Sequence, residues 1–302
     1  MAMTIENTTG GMLNKTFPGI VGTSIKSYDV LMTVIGILGV VSNCLLLIAM
    51  VRYRSTIFTC KGAYLIANMA IADLLTGLNS SRWGLRITFQ LPQALDKALF
   101  SIWWTSVEVS FLTILVMSLE RYIAIVFPFK AQVWLSKART IKSCVAVWLM
   151  AVLCGACIAL SPLIVHVCLT IFFEITILVI MFFYYKIIIK LRERRVILTS
   201  MQSTSIRATR SHADQRRPEN KLTTVVVLVV VILIITVLPY ILATQISSVR
   251  RLFSVANYDP KLQLFISYYF PFKTMNLVLN PIIYAWRFPN YRLALLRTLH
   301  CR

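Results

Sequence analysis

Several charged residues stand inside or at the edge of long apolar runs. Arg121, between Glu120 and Tyr122, ends one run, and Asp73 and Lys273 lie within two others. A charge deep in hydrocarbon costs about 2.5–3.5 kcal/mol even on lenient insertion scales, so residues of this kind are usually functional. Their chemistry would be electrostatic: a switchable ion pair, a bound ion or a contact with a charged ligand.

The sequence does not predict an enzyme. No nucleophile, base and orienting residue occur together, and no cluster of metal-ligating residues stands out. We therefore expect no covalent cofactor.

Long apolar runs dominate the chain. Its 302 residues are 58% hydrophobic and 14% charged, whereas about a quarter of the residues of a soluble protein are charged. A helix needs about 20 apolar residues to cross about 30 Å of hydrocarbon. Seven runs qualify: 27–52, 61–84, 97–127, 141–163, 166–190, 222–247 and 262–286. We predict an all-α membrane protein, a seven-transmembrane helix bundle over residues 27–286.

Basic residues set the predicted orientation of the bundle. Most of the 31 lysines and arginines fall in the connections on one side, and positively charged loops stay in the cytoplasm. Residues 1–26 are then an extracellular tail, in which Asn7 and Asn14 each begin an Asn-X-Thr glycosylation sequon. The predicted location is the plasma membrane. The net charge of +20 follows from this topology, so we expect no nucleic-acid partner.

Two segments outside the apolar runs have distinct compositions. Residues 192–220 are basic and polar without apolar periodicity, which predicts a long cytoplasmic loop. Residues 287–302 place apolar residues at helical spacing beside arginines, which predicts a short amphipathic eighth helix and a short tail. Cys301 in that tail is a candidate for palmitoylation, with an unmodified thiol as the alternative. We predict no structural disulfide, because most cysteines lie within spans or at their cytoplasmic ends.

One polar or proline signature stands in each apolar run. In order, the signatures are Gly39 with Asn43, Asn68 to Asp73, Glu120-Arg121-Tyr122, Trp148, Tyr184, Pro239, and Asn280-Pro281-Ile282-Ile283-Tyr284. The set resembles the rhodopsin-like (class A) G-protein-coupled receptors over nearly the whole chain. The resemblance implies a receptor for an extracellular ligand, with a heterotrimeric G protein as partner and arrestin as a further candidate. It also implies a conformational switch formed by Glu120, Arg121, Tyr122, Tyr184, Glu219, Asn280, Pro281 and Tyr284.

Glu219 is the predicted partner of Arg121 in that switch. It lies twenty residues before Pro239, about 30 Å along a helix at 1.5 Å per residue, and so at the level of Arg121. In family members with this pair, the contact holds the sixth span inward in the inactive state. Glu120 is the competing partner of Arg121 because it is adjacent in sequence.

The sequence departs from the usual family pattern in three places. Asp96 stands where most members have a disulfide cysteine, Thr176 where most have a proline, and Val237 where most have an aromatic residue. The first two departures, with a very short second outer loop, are similar to the melanocortin, lysophospholipid, cannabinoid and adenosine receptors. The ligand would then be a lipid, a peptide or a nucleoside-like compound.

Asp73 needs polar neighbours, because an uncompensated carboxylate in a membrane is costly. Asn276 and Asn280 share a helix face, and Ser110 shares the face of Arg121 three turns away. In the family such residues surround a sodium ion, so the resemblance implies a sodium site at Asp73, Ser110, Asn276 and Asn280. Their oxygen ligands suit a hard cation. A hydrogen-bond network without an ion is the alternative.

The outer ends of the spans supply the candidate ligand pocket. Trp103 stands where amine receptors carry an aspartate, which disfavours an amine ligand. Lys273, with Glu108 and Glu174 at comparable depth, is either a cation for an acidic ligand headgroup, half of a buried ion pair, or a snorkelling lysine. The candidate pocket residues are Trp83, Asp96, Trp103, Glu108, Glu174, Thr244, Tyr269 and Lys273.

Two other functions are alternatives. An opsin would carry its retinal-binding lysine at the position of Thr274, next to Lys273. A channel or transporter would be expected to show internal repeats or a charged pore ring, and the sequence shows neither.

Overall fold

The computed structural model describes residues 27–82, 92–160, 162–202, 209–253 and 259–299. Within these ranges the chain forms eleven helices and no strand. The helices are α1 (Ser27–Arg52), α2 (Arg54–Ile57), α3 (Gly62–Ser81), α4 (Gln93–Val126), α5 (Pro128–Trp134), α6 (Lys137–Leu160), α7 (Pro162–Gln202), α8 (Thr209–Leu252), α9 (Pro260–Thr274), α10 (Asn276–Arg287) and α11 (Pro289–Leu299). The candidate residues Asn7, Asn14, Trp83 and Cys301 lie outside the described ranges.

The long helices occupy the predicted spans. Five stretches are long and apolar enough to cross a membrane: Ser27–Arg52, Gln93–Val126, Lys137–Ile158, Leu163–Arg194 and Val230–Leu252. Helix α3, with 20 residues, occupies the second predicted span, and α9 and α10 together occupy the seventh. Large apolar side chains such as Leu149, Leu153 and Leu178 remain exposed on the outside of the bundle, as a bilayer environment requires. The all-α architecture predicted from hydropathy is confirmed.

Helices α1 and α3 approach each other closely because glycines line their contact. A Cβ built on Gly36 would clash with the backbone nitrogen of Ser81, and one on Gly77 would lie 3.1 Å from the carbonyl oxygen of Gly36. Small residues allow helix backbones in a membrane to pack by direct van der Waals contact. This contact places Asn43 and Asp73 in the interior of the bundle, where both are buried.

The seventh span is broken near its middle and is anchored to α1. Helix α9 ends at Thr274 and α10 begins at Asn276. Pro281 has no backbone N–H for the carbonyl of Leu277 four residues earlier. That carbonyl instead accepts a hydrogen bond from Asn43 Nδ2 at 2.8 Å. Pro281 thus leaves a carbonyl without a backbone donor, and Asn43 supplies the missing hydrogen bond.

The start of α9 is fixed by its first residues. The Asp259 carboxylate accepts hydrogen bonds from the backbone N–H groups of Leu262 and Lys261, and these lower the pKa of Asp259 below its usual range. Pro260 follows at the first helical position, where the missing N–H has no cost.

The connection predicted as a loop at 192–220 differs in the structure. Helix α7 continues to Gln202 and α8 begins at Thr209, so the described part of this segment is helical. Its polar composition lacks the apolar stripe by which a sequence reveals an amphipathic helix. The predicted eighth helix is present as α11, which buries Tyr291 and Ala294 and exposes Leu293 and Leu296 on another face.

Candidate functional site

Asp73 lies at the centre of a buried polar contact between three helices. Its Oδ1 accepts a hydrogen bond from Ser110 Oγ of α4 at 2.8 Å, and its Oδ2 accepts one from Asn280 Nδ2 of α10 at 2.9 Å. The carboxylate and the hydroxyl offer oxygen atoms suited to a hard cation, while Asn280 presents its amide nitrogen to the carboxylate.

Asn276, the fourth residue of the predicted ion site, points elsewhere. Its Nδ2 donates to Thr236 Oγ1 of α8 at 2.6 Å and to the carbonyl of Lys273 at 3.3 Å. It therefore links the broken seventh span to α8 rather than to Asp73. Thr236 was not identified from the sequence, since a threonine in an apolar run usually satisfies its hydroxyl within its own helix.

Asn68 joins three helices one level further along α3. Its Nδ2 donates to Thr113 Oγ1 of α4 at 2.8 Å, and its Oδ1 accepts from Trp148 Nε1 of α6 at 2.9 Å. Both the amide donor and the amide acceptor are thus used. Asn68 and Trp148 were recognised as signature residues, whereas Thr113 carries no signal in the sequence.

Arg121 pairs with its neighbour in the described part of the chain. Its Nη2 lies 3.7 Å from Glu120 Oε2, and Glu120 Oε1 accepts a hydrogen bond from Thr140 Oγ1 of α6 at 2.7 Å. The competing partner predicted from the sequence therefore contacts Arg121. Glu219 falls within α8, but its side chain is not among those that the structure describes.

The other switch residues surround the end of the bundle that carries Arg121, hereafter the Arg121 end. Tyr122 stacks on Phe183 of α7 with ring centroids 5.0 Å apart. Tyr184 is buried, and its hydroxyl lies near Ser118 and Arg121 without a hydrogen bond of normal geometry. Tyr284, after Pro281, is almost fully buried and directs its hydroxyl at the sulfur of Met69, 3.8 Å away.

A cavity of about 90 Å³ opens between α3, α4, α7, α8, α9 and α10. Trp103, His166 and Thr244 line it near one end of the bundle, hereafter the Trp103 end, and Asp73 and Asn280 also line it. The cavity therefore connects the candidate ligand pocket with the candidate ion site. Of the predicted pocket residues, Trp103, Thr244 and Lys273 line it.

Lys273 reaches into an aromatic cage at the Trp103 end. Its ammonium lies 4.5 Å from the ring centroid of Tyr240, 5.0 Å from Trp103, 5.3 Å from Phe270 and 6.0 Å from Trp104. Aromatic faces attract a cation at these distances. Tyr240 and His166 were not found from the sequence, because neither stands in a motif.

Four predicted pocket residues lie outside the cavity lining. Asp96 pairs with Arg82 at 3.3 Å, Glu108 contacts Cys154 of α6, and Tyr269 donates to the carbonyl of Ile235 at 2.8 Å. Glu174 is the fourth; one of its carboxylate oxygens is buried without a hydrogen bond. The sequence argument used depth along the helix without rotation about its axis, so it did not separate residues that line the cavity from these four. Each residue turns a helix by about 100°.

Comparison with known proteins gives a consistent result. The sequence pattern of the 7 transmembrane receptor (rhodopsin family) matches residues 42–284, more than half of the chain. The gastrin/cholecystokinin type B receptors of Rattus norvegicus and Mus musculus are 28% identical to the chain over 156 residues. The match covers 49% of this chain and 34% of each relative, so the chain spans about a third of the length of these curated relatives.

Proposed function

The chain belongs to the rhodopsin family of seven-transmembrane receptors, and we propose that it converts ligand binding at the Trp103 end into activation of a heterotrimeric G protein at the Arg121 end. The observation that carries this proposal is the cavity, which is lined by Trp103 and Lys273 as well as by Asp73 and Asn280. A ligand in the cavity would contact Asp73 and Asn280, whose hydrogen bond joins α3 to the broken seventh span.

The proposed mechanism is a shift between two arrangements of the bundle. A ligand changes their populations only through its different affinity for each arrangement. Contacts that the structure supplies for such a change are Asn280 with Asp73, Asn276 with Thr236, and Arg121 with Glu120. Each joins a predicted switch or ion-site residue to a partner that it can leave without breaking the backbone.

We also propose a sodium ion at Asp73, favouring the inactive arrangement. Ser110 and Asn280 support this site because both already contact the carboxylate. Asn276 is not part of the proposed site in this arrangement because its amide is turned to Thr236.

The proposed setting is the plasma membrane with the Trp103 end outside. The excess of basic residues on the other side supports this orientation. It places glycans on Asn7 and Asn14 and lets Cys301 receive a palmitoyl chain on the cytoplasmic side. Arrestin is a further proposed partner. A ligand of lipid, peptide or nucleoside-like type, as in the melanocortin and related receptors, is the finer proposal.

A reconstitution experiment tests the receptor proposal against a channel or transporter. Purified protein in lipid vesicles would be screened with lipids, peptides and nucleosides, and both nucleotide exchange on added G protein and ion flux would be measured. We expect ligand-dependent nucleotide exchange without flux. Ligand-dependent ion flux without exchange would refute the proposal.

A further inference from the structure

The Trp103 end of the cavity contains hydrogen-bond donors without acceptors. Trp103 and Trp104 are 2% and 5% exposed, and both line the cavity. Neither indole N–H has a hydrogen-bond partner among the described residues. An indole N–H can only donate, and a buried polar group without a partner is costly. These two groups and the Lys273 ammonium are called the donor cluster below.

Lys273 adds a positive charge to the donor cluster. In the described part of the chain its ammonium has four aromatic faces around it and no carboxylate within ion-pair distance. The rings attract the charge, but an ammonium also carries three N–H donors that prefer oxygen acceptors.

Three nearby carboxylates have other partners, and the fourth, Glu174, lies outside the cavity lining with one oxygen unbonded. Both oxygens of Asp73 accept hydrogen bonds, from Ser110 and from Asn280. Glu108 faces Cys154, and Asp96 faces Arg82. The described structure therefore supplies the donor cluster with no anion of its own.

We propose that the donor cluster binds the carboxylate of a small ligand whose body is apolar. The inference rests on the proposed function in taking the occupant of this cavity as the signalling ligand. Phe111, Phe173, Leu233 and Ile241 line the same cavity and suit an acyl chain or an aromatic ring as the body. The Lys273 ammonium also occupies the aromatic cage that would otherwise attract a cationic ligand, so it selects against amines.

Matched carboxylate and amide probes test the proposal. Purified receptor in lipid nanodiscs would be titrated with indole-3-acetate and indole-3-acetamide in one arm, and with decanoate and decanamide in the other. A charge-assisted hydrogen bond favours the carboxylate by about tenfold to a hundredfold over the amide. Comparing the affinities of the two carboxylates shows whether the cavity prefers an aromatic or an acyl body.

Variants show whether Lys273 causes the preference. Lys273→Met removes the charge at similar volume and is expected to abolish the preference, whereas Lys273→Arg keeps the charge and retains a preference. Lys261→Met removes an exposed charge near the start of α9 and should leave the preference unchanged. Trp103→Phe removes one donor and should reduce the preference in a chain with its lysine intact.

The outcomes are separable from those of the receptor proposal. Equal binding of carboxylate and amide in both arms, absence of saturable carboxylate binding, or an unchanged preference in Lys273→Met would each overturn the inference. Carboxylate binding without nucleotide exchange would support the anion site and count against the receptor proposal. Nucleotide exchange driven by neutral or cationic ligands alone would support the receptor proposal and count against the anion site.

Discussion

The middle of the bundle and its Trp103 end differ in whether their buried polar groups have hydrogen-bond partners. In the middle, Asp73 bonds Ser110 and Asn280, and Asn68 bonds Thr113 and Trp148, always on other helices. At the Trp103 end, the two indole N–H groups of the donor cluster have no acceptor among the described residues, and the ammonium has aromatic rings around it.

The difference separates polar groups that hold the bundle from those available to a ligand. A hydrogen bond offsets the free-energy cost of removing a polar group from water. A buried polar group without a partner keeps that cost until a ligand binds it. The paired groups should therefore matter most for stability, and the donor cluster should matter most for recognition. The Arg121 end adds a third behaviour in the proposed mechanism, in which its charges exchange partners during signalling.

The largest effect is expected at the Arg121 end. Arg121→Ala should abolish ligand-dependent nucleotide exchange at equal surface expression, because in the proposed switch the arginine leaves Glu120 and binds the G protein. Arg54→Ala, which removes an exposed arginine from the same side of the membrane, should leave exchange intact. Exchange that survives in the Arg121 variant would show that this end does not form the switch.

A smaller effect is expected for the predicted partner of Arg121. Glu219→Ala should raise ligand-free signalling, since loss of a contact worth about 1.4 kcal/mol changes a rare active population about tenfold. Glu193→Ala, which breaks the exposed contact of Glu193 with Lys190 at 2.8 Å, is the matched control and should not change it. If basal signalling does not change, contacts other than Arg121 with Glu219 hold α8 in the inactive arrangement. Arg121 would then pair with Glu120 alone.

The ion proposal sharpens the account of the middle of the bundle. Asp73→Asn should remove the sodium dependence of agonist affinity, measured in sodium against a large organic cation at equal ionic strength. Asp259→Asn, a matched change outside the spans, should retain it. Sodium dependence that persists in the Asp73 variant would leave the middle as a hydrogen-bond network without an ion.

The sequence predicted best where residues stand at fixed helical spacing from a signature. Ser110 and Asn280 reach Asp73 because each lies on a continuous helix whose face is set by Arg121 or Pro281. Asn276 could not be placed in this way. The break between α9 and α10 lies directly before it, and its amide meets Thr236 instead.

Pocket residues were harder to predict because depth alone does not give rotation. Val107 lines the cavity while the next residue, Glu108, contacts Cys154 on α6. The helical extensions at 192–202 and 209–220 were missed because a polar segment without a hydrophobic period gives no sign of a helix.

The most direct test compares the stability of two variants that each replace a polar side chain by an apolar one of similar size. Asn68→Leu leaves the buried Trp148 indole N–H without its acceptor and should cost about 1–3 kcal/mol, seen as a lower apparent Tm in nanodiscs without ligand. Lys273→Met removes a cation that has no described acceptor, so its Tm should be unchanged or higher. A Tm that falls as far in Lys273→Met as in Asn68→Leu would contradict the account, because Lys273 would then stabilise the bundle instead of awaiting a ligand.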